Sequence, residues 1–185
     1  HGLMRARWYG RRGAPPVPLL APRQVADRLV ELEDGDDEAV RGAFDWRALP
    51  SGPRQAGPFT VESAALPHYV PNAGVRLSAP GLTIAYTGDS GPDPALAVLG
   101  RQADLFIADS TDREQQPGAP QAAAGPRLNM TAADAGAAAA AARASRLLLT
   151  HFWPGNDRQA SASAAAGHYD GEILLATEGL QISLR

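Results

Sequence analysis

The sequence contains no cysteine and no lysine. The first absence excludes a disulfide framework, a thiolate-held zinc site, an iron–sulfur cluster and a thiol nucleophile. Any metal must therefore be held by histidine and carboxylate. The second absence leaves arginine as the carrier of all 17 positive charges, set against 20 acidic residues for a net charge of -3. Bulk charge of that sign speaks against a basic nucleic-acid-binding protein. Long apolar runs are also lacking. None approaches the roughly 20 residues that span a bilayer, and the basic opening HGLMRARWYGRR has no long apolar stretch behind it to read as a signal peptide. A soluble cytoplasmic protein is expected. What is present is ordinary: 185 residues, 44% hydrophobic and 20% charged, enough for one domain with a single sizeable core.

The pattern alternates short apolar runs with helical stretches. Leu3 to Tyr9 reads as a short basic helix, broken by Pro15, Pro16 and Pro18. Pro22 to Leu32 is a helix with Val25, Leu29 and Leu32 on one face. The acidic stretch Glu31 to Glu38 lacks calcium-loop spacing and reads as a solvated turn leading into another helix. Ser51 to Pro58 is a loop by composition. Strands follow at Phe59–Leu66, Gly74–Ala79 and Leu82–Tyr86, the last two joined by a tight turn at Pro80–Gly81. A short helix at Asp93–Leu99 precedes an apolar strand at Asp104–Ala108. Gln115 to Pro126 is flexible in composition. Thr131 with Asp134 forms a capping-box pattern ahead of a helix running to about Arg143. Leu147–Thr150 is a buried strand, Arg158–Ala166 a helix, and Glu172–Ala176 and Leu180–Leu184 closing strands. This order implies an α/β layered fold.

Three polar residues stand just past predicted strands: His68 after Phe59–Leu66, Asp89 in the turn TGDSG after Leu82–Tyr86, and His151 after Leu147–Thr150. In layered α/β folds strand ends gather at one edge, so these residues can converge. A side chain there is held rigidly and still reaches solvent, as a metal ligand must. Singly, each has a plainer reading as a hydrogen-bonded boundary histidine or a turn aspartate. His168 reads as a surface residue. Phe152 and Trp153, directly after His151, line a pocket or pack a loop over the sheet edge. Arg5, Arg7, Arg11 and Arg12 meet a phosphate-bearing substrate or form a solvated helix face.

Four segments in this order resemble the metallo-β-lactamase fold superfamily, closest to its ribonuclease Z-like and cyclic-phosphodiesterase-like hydrolases. LPHYVPNAGVRL (66–77) resembles the family's metal-binding histidine followed by a glycine-containing strand. TIAYTGDSGP (83–92) is similar to the strand and turn that deliver the metal-bridging aspartate. ADLFIADST (103–111) resembles the next strand with its acidic residue, and RLLLTHFWPGND (146–157) the strand that ends in the last metal-binding histidine. The resemblance implies a four-layer αββα sandwich and one metallo-β-lactamase-like domain over residues 1–185, with the family's first strands absent from this chain. It implies a zinc-dependent hydrolase, with Mn²⁺ or Fe also compatible with the donors. His68 would ligate one metal, Asp89 would bridge two, and His151 would ligate the second. A metal-bound hydroxide would attack a phosphodiester. Asp89, Asp109 and Asn129 would take part in catalysis, Asp109 by orienting a ligand histidine unless it is simply a strand-end carboxylate.

The chain also departs from that pattern. The family's His-x-His-x-Asp-His motif is absent, and the helix Leu3–Tyr9 resembles the one that normally follows it. With His68, Asp89 and His151 alone, a single weakly held metal is expected. Asn129 stands where related hydrolases carry histidine. It cannot act as a general acid, but it can hydrogen-bond a substrate oxygen or serve only as a helix-entry residue. The expected partner is a small molecule, phosphate-containing in the phosphodiester reading, with no membrane, no nucleic acid and room for a homodimer. Two alternatives stay open: a hydrolase of a small ester, lactone or sulfate ester, and a non-catalytic relative that uses the fold for binding.

Overall fold

The computed structural model describes residues 1–11, 13–49, 52–111 and 126–184. They form two compact units, His1–Ser51 and Gly52–Arg185.

The first unit contains α1 (Gly2–Gly10), β1 (Val17–Ala21), α2 (Arg23–Leu32), α3 (Asp37–Ala43) and β2 (Phe44–Ala48). Met4, Leu29, Ala39, Val40, Ala43 and Phe44 make its core. Gly42 is required there, because a Cβ would fall on the Trp8 ring. β1 and β2 pair in parallel, from Val17 opposite Phe44 to Ala21 opposite Ala48. Neither strand was expected. Pro18 lies inside β1, which among the described residues pairs on one side only, where a missing N–H can be tolerated. The acidic stretch also differs from expectation. The Glu33 carboxylate is buried, accepting from Arg5 Nη1 at 2.7 Å and lying 2.5 Å from His1 Nε2. The Asp36 carboxylate caps α3 by accepting from Ala39 N at 3.0 Å.

The second unit is a seven-stranded sheet in sequence order: β3 (Arg54–Ala56), β4 (Phe59–Leu66), β5 (Asn72–Ala79), β6 (Leu82–Tyr86), β7 (Leu105–Asp109), β8 (Arg146–Thr150) and β9 (Glu172–Leu175). β3 to β6 are antiparallel neighbours, and β6 to β9 are parallel. β4, β6, β7 and β8 therefore run the same way and present their C-terminal ends at one edge. The helices α4 (Ala95–Leu99), α5 (Ala132–Ala142) and α6 (Arg158–Ala166) pack on the sheet and on one another. Phe106, Leu147 and Leu149 are completely buried beneath them, with Met130.

The local chemistry explains these elements. Thr131 Oγ1 accepts from Asp134 N at 3.1 Å while the Asp134 carboxylate accepts from Thr131 N at 2.9 Å, completing the capping box of α5. Asp157 caps α6 by accepting from Gln159 N and Ala160 N. Alanine-rich faces let α5 and α6 approach closely, and a Cβ on Gly136 would come within 2.5 Å of the Ala165 carbonyl. Two expectations change. β3 lies in the stretch read as a loop, and its three residues are all exposed. Leu180–Leu184 forms no ladder. Its apolar alternation is a side-chain pattern, and a strand also needs a neighbour to pair with. Among the described residues no helix is long and apolar enough to cross a membrane.

Candidate metal centre

His68, Asp89, Asp109 and His151 all lie at or just beyond the C-terminal ends of β4, β6, β7 and β8. Asp89 stands between the two histidines. Its Oδ2 is 3.9 Å from His68 Nε2, and its Oδ1 is 3.3 Å from His151 Nδ1. Hydrogen bonds to backbone carbonyls hold this grouping. Gly91 N donates to the Pro67 carbonyl at 2.8 Å, tying the Asp89 turn to the His68 loop. Asn72 Nδ2 donates to the Thr87 carbonyl at 3.0 Å. Gly88, at φ +62°, turns the chain where a Cβ would come within 2.5 Å of the Asn72 amide oxygen.

Each histidine has its Nδ1 engaged. His68 Nδ1 lies 2.8 Å from the Leu128 carbonyl. A carbonyl only accepts, so Nδ1 is the donor, and in the neutral ring the lone pair is on Nε2. Thr111 holds His151. The single Thr111 hydroxyl hydrogen serves the Asp109 carboxylate at 2.5 Å or the His151 carbonyl at 2.6 Å, both pure acceptors. The hydroxyl oxygen then receives His151 Nδ1–H at 2.5 Å, which frees Nε2. The same contacts hold His151 at φ +59°, a left-handed backbone that costs a side-chain-bearing residue about 1–2 kcal/mol. Thr111 was not singled out by its sequence position. Its one signal is its place two residues beyond Asp109, where a short hydroxyl side chain can bond a carboxylate.

Asp109 is the anchor beneath the site. It is completely buried and accepts from Ser90 N at 3.1 Å, Thr111 N at 2.9 Å and the Thr111 hydroxyl. Its own N–H donates to Thr87 Oγ1 at 3.1 Å. Asn129 lies between Leu128, whose carbonyl holds His68, and Met130, whose N–H faces Asp109 at 3.5 Å. The Asn129 amide oxygen is buried without a hydrogen-bond partner among the described residues. Burial pushes the Tyr86 phenol above its ordinary value, and the charges of Asp89 and Asp109 push it in the same direction.

Two aromatics that adjoin one another in sequence part company here. Phe152 packs against the core and carries the Arg158 guanidinium over its ring at 5.1 Å, whereas Trp153 is exposed. His168 is exposed, away from any ligand role. Arg5 binds Glu33, and Arg7 donates to the Ala43 and Pro15 carbonyls. Arg12 and the stretch 115–125 lie outside the described residues. Among the described residues no group of three or more His, Asp or Glu side chains is drawn together closely enough to hold a metal ion. The three candidate ligands are linked in pairs through Asp89.

Residues 1–152 match the family described as Beta-lactamase superfamily domain. The chain belongs to this family. Among curated relatives of this beta-lactamase superfamily chain, an uncharacterized protein of Mycobacterium tuberculosis is 32% identical over 176 residues, covering 90% of this chain and 61% of the relative. A ribonuclease Z of Haloarcula marismortui is 30% identical over 161 residues, covering 79% and 49%. The crystal structure of the metallo-beta-lactamase fold protein YhfI from Bacillus subtilis superposes with a TM-score of 0.76 at 23% identity, covering 96% of this chain and 68% of that one. The chain thus has the metallo-β-lactamase fold and spans about half to three fifths of the length of these curated relatives. Proteins of this superfamily generally bind metal ions; the residues at this edge are of metal-ligating type, two imidazoles and a carboxylate with no thiolate.

Proposed function

We propose that this chain carries part of the active site of a metal-dependent hydrolase acting on phosphodiesters, with His68, Asp89 and His151 as metal ligands. The observation that carries the reading is the placement of Asp89 between His68 Nε2 at 3.9 Å and His151 Nδ1 at 3.3 Å, at the sheet edge and within the residues of the family match. Zinc is the ion this donor set suits best. A bound divalent ion supplies Lewis acidity and lowers the pKa of water there. The chain's own part is positional. The Leu128 carbonyl orients His68, Thr111 orients His151, and Asp109 orients Thr111. Asp109 is a positioning residue, since its complete burial keeps it from substrate. Asn129 is only half-buried, and its side-chain NH₂ serves as a hydrogen-bond donor to substrate while its oxygen is buried.

The family match across residues 1–152 crosses the boundary between the two units, which supports reading residues 1–185 as one domain of this family. Similarity to a ribonuclease Z supports a phosphodiester over a carboxylic ester. It also removes the force of the net-charge argument against nucleic acid, so RNA stands beside small phosphodiesters as a substrate. Hydrolysis of bis(p-nitrophenyl) phosphate by the complete gene product, with and without added Zn²⁺, tests the proposal. Zn²⁺-dependent turnover that falls at least about 100-fold in Asp89→Asn and His151→Ala is expected. Turnover unaffected by these changes or by chelator would overturn it.

A further inference from the structure

Four of the exposed large hydrophobic side chains lie within three positions of a candidate ligand in sequence. Tyr69 is 73% exposed and Val70 63% exposed, directly after His68. Trp153 is 55% exposed, two residues after His151. Tyr86, three residues before Asp89, is 39% exposed. Phe152 turns inward to the core, while Trp153, next in sequence, does not. Tyr69 meets the His68 ring edge-on, with centroids 5.3 Å apart and planes at 74°. Its other surface is left to solvent. Large aromatics left in water beside a polar site forgo the burial that would otherwise stabilise the fold.

We propose that Tyr69 and Trp153 form an aromatic rim that determines specificity, stacking a planar aromatic or heteroaromatic group carried next to the scissile bond. The inference rests on the hydrolase reading above for the location of the scissile group and deepens it by naming a feature of the substrate. The loops that carry His68 with Tyr69 and His151 with Trp153 flank Asp89, because Asp89 reaches His68 at 3.9 Å and His151 at 3.3 Å. A substrate with its reacting centre at Asp89 therefore presents its flanking groups to these two loops. Stacking of one ring on one aromatic side chain is worth about a tenfold change in affinity.

The test measures binding as well as turnover. Calorimetric titration of the complete gene product, metal-free and Zn²⁺-loaded, compares phenylphosphonate with methylphosphonate. Phenylphosphonate is expected to bind about tenfold more tightly, and the preference to disappear in Trp153→Ala and Tyr69→Ala but survive in Trp153→Phe. In turnover, Trp153→Ala raises KM for an aryl phosphodiester without lowering kcat, and leaves KM for dimethyl phosphate unchanged. Equal affinity for the two phosphonates, binding of neither, or a preference that survives both alanine variants would overturn the proposal. A phenyl preference lost in those variants in a protein with no hydrolytic activity would leave the rim standing and remove the hydrolase reading instead.

Discussion

Replacing Asp109 by asparagine is expected to destabilise the second unit far more than an ordinary substitution. The side chain is completely buried, and both oxygens are used. Oδ1 accepts from Thr111 N at 2.9 Å and from the Thr111 hydroxyl, while Oδ2 accepts from Ser90 N at 3.1 Å and faces Met130 N at 3.5 Å. Asparagine is nearly isosteric but turns one acceptor into a donor. The gentler orientation keeps the oxygen toward Thr111 and points the new NH₂ at Ser90 N–H, donor against donor. One charge-assisted bond is lost, about 1.5–3 kcal/mol, and buried donors are left without partners, about 1–3 kcal/mol more. The sum is about 2.5–6 kcal/mol. Urea unfolding followed by circular dichroism reads this as a midpoint lower by roughly 1.2–3 M, for a slope near 2 kcal/mol per molar. A loss below about 1 kcal/mol would refute the reasoning, because it would mean that the donors around Asp109 do not depend on its charge.

Other outcomes follow from the same geometry. Gly91→Ala places a methyl on the Arg127 carbonyl oxygen, in the segment that leads to the His68-bonding Leu128; a stability loss above about 2 kcal/mol is expected, measured by urea unfolding. The Tyr169 phenol donates to the Ala144 carbonyl at 2.8 Å, and burial, then Glu172, pushes its pKa up. A raised folded-state pKa contributes stability that is complete below the unfolded value near 10 and is lost as pH rises through the folded value. Unfolding free energies measured between about pH 8 and 11 should fall more gently in Tyr169→Phe than in the parent.

The sheet was legible where side-chain pattern alone decides. The β5–β6 hairpin shows itself through Pro80–Gly81, with Gly81 at φ +72°, and the buried strands β7 and β8 through unbroken apolar runs. The capping box of α5 was readable because two side chains three residues apart bond each other's backbone. Strands whose existence depends on a partner were not readable. β1 hides behind Pro18, β2 carries the Asp45–Arg47 ion pair on a short strand, and Leu180–Leu184 has the right alternation without a ladder. The candidate ligands were visible as polar residues just past strands, because one sheet edge collects them. The groups that orient them were not visible. The Leu128 carbonyl and the Thr111 hydroxyl come from segments 60 and 40 residues away from the histidines they hold, and no local pattern marks such a contact.

The most direct test of the account is metal content, measured by elemental mass spectrometry on the complete gene product and on Asp89→Ala, His68→Ala and His151→Ala variants of unchanged circular dichroism. The account predicts at least about one zinc per parent chain after reconstitution and dialysis, and loss of metal in each variant. A folded parent chain that retains no metal, or variants that keep the full complement, would contradict it.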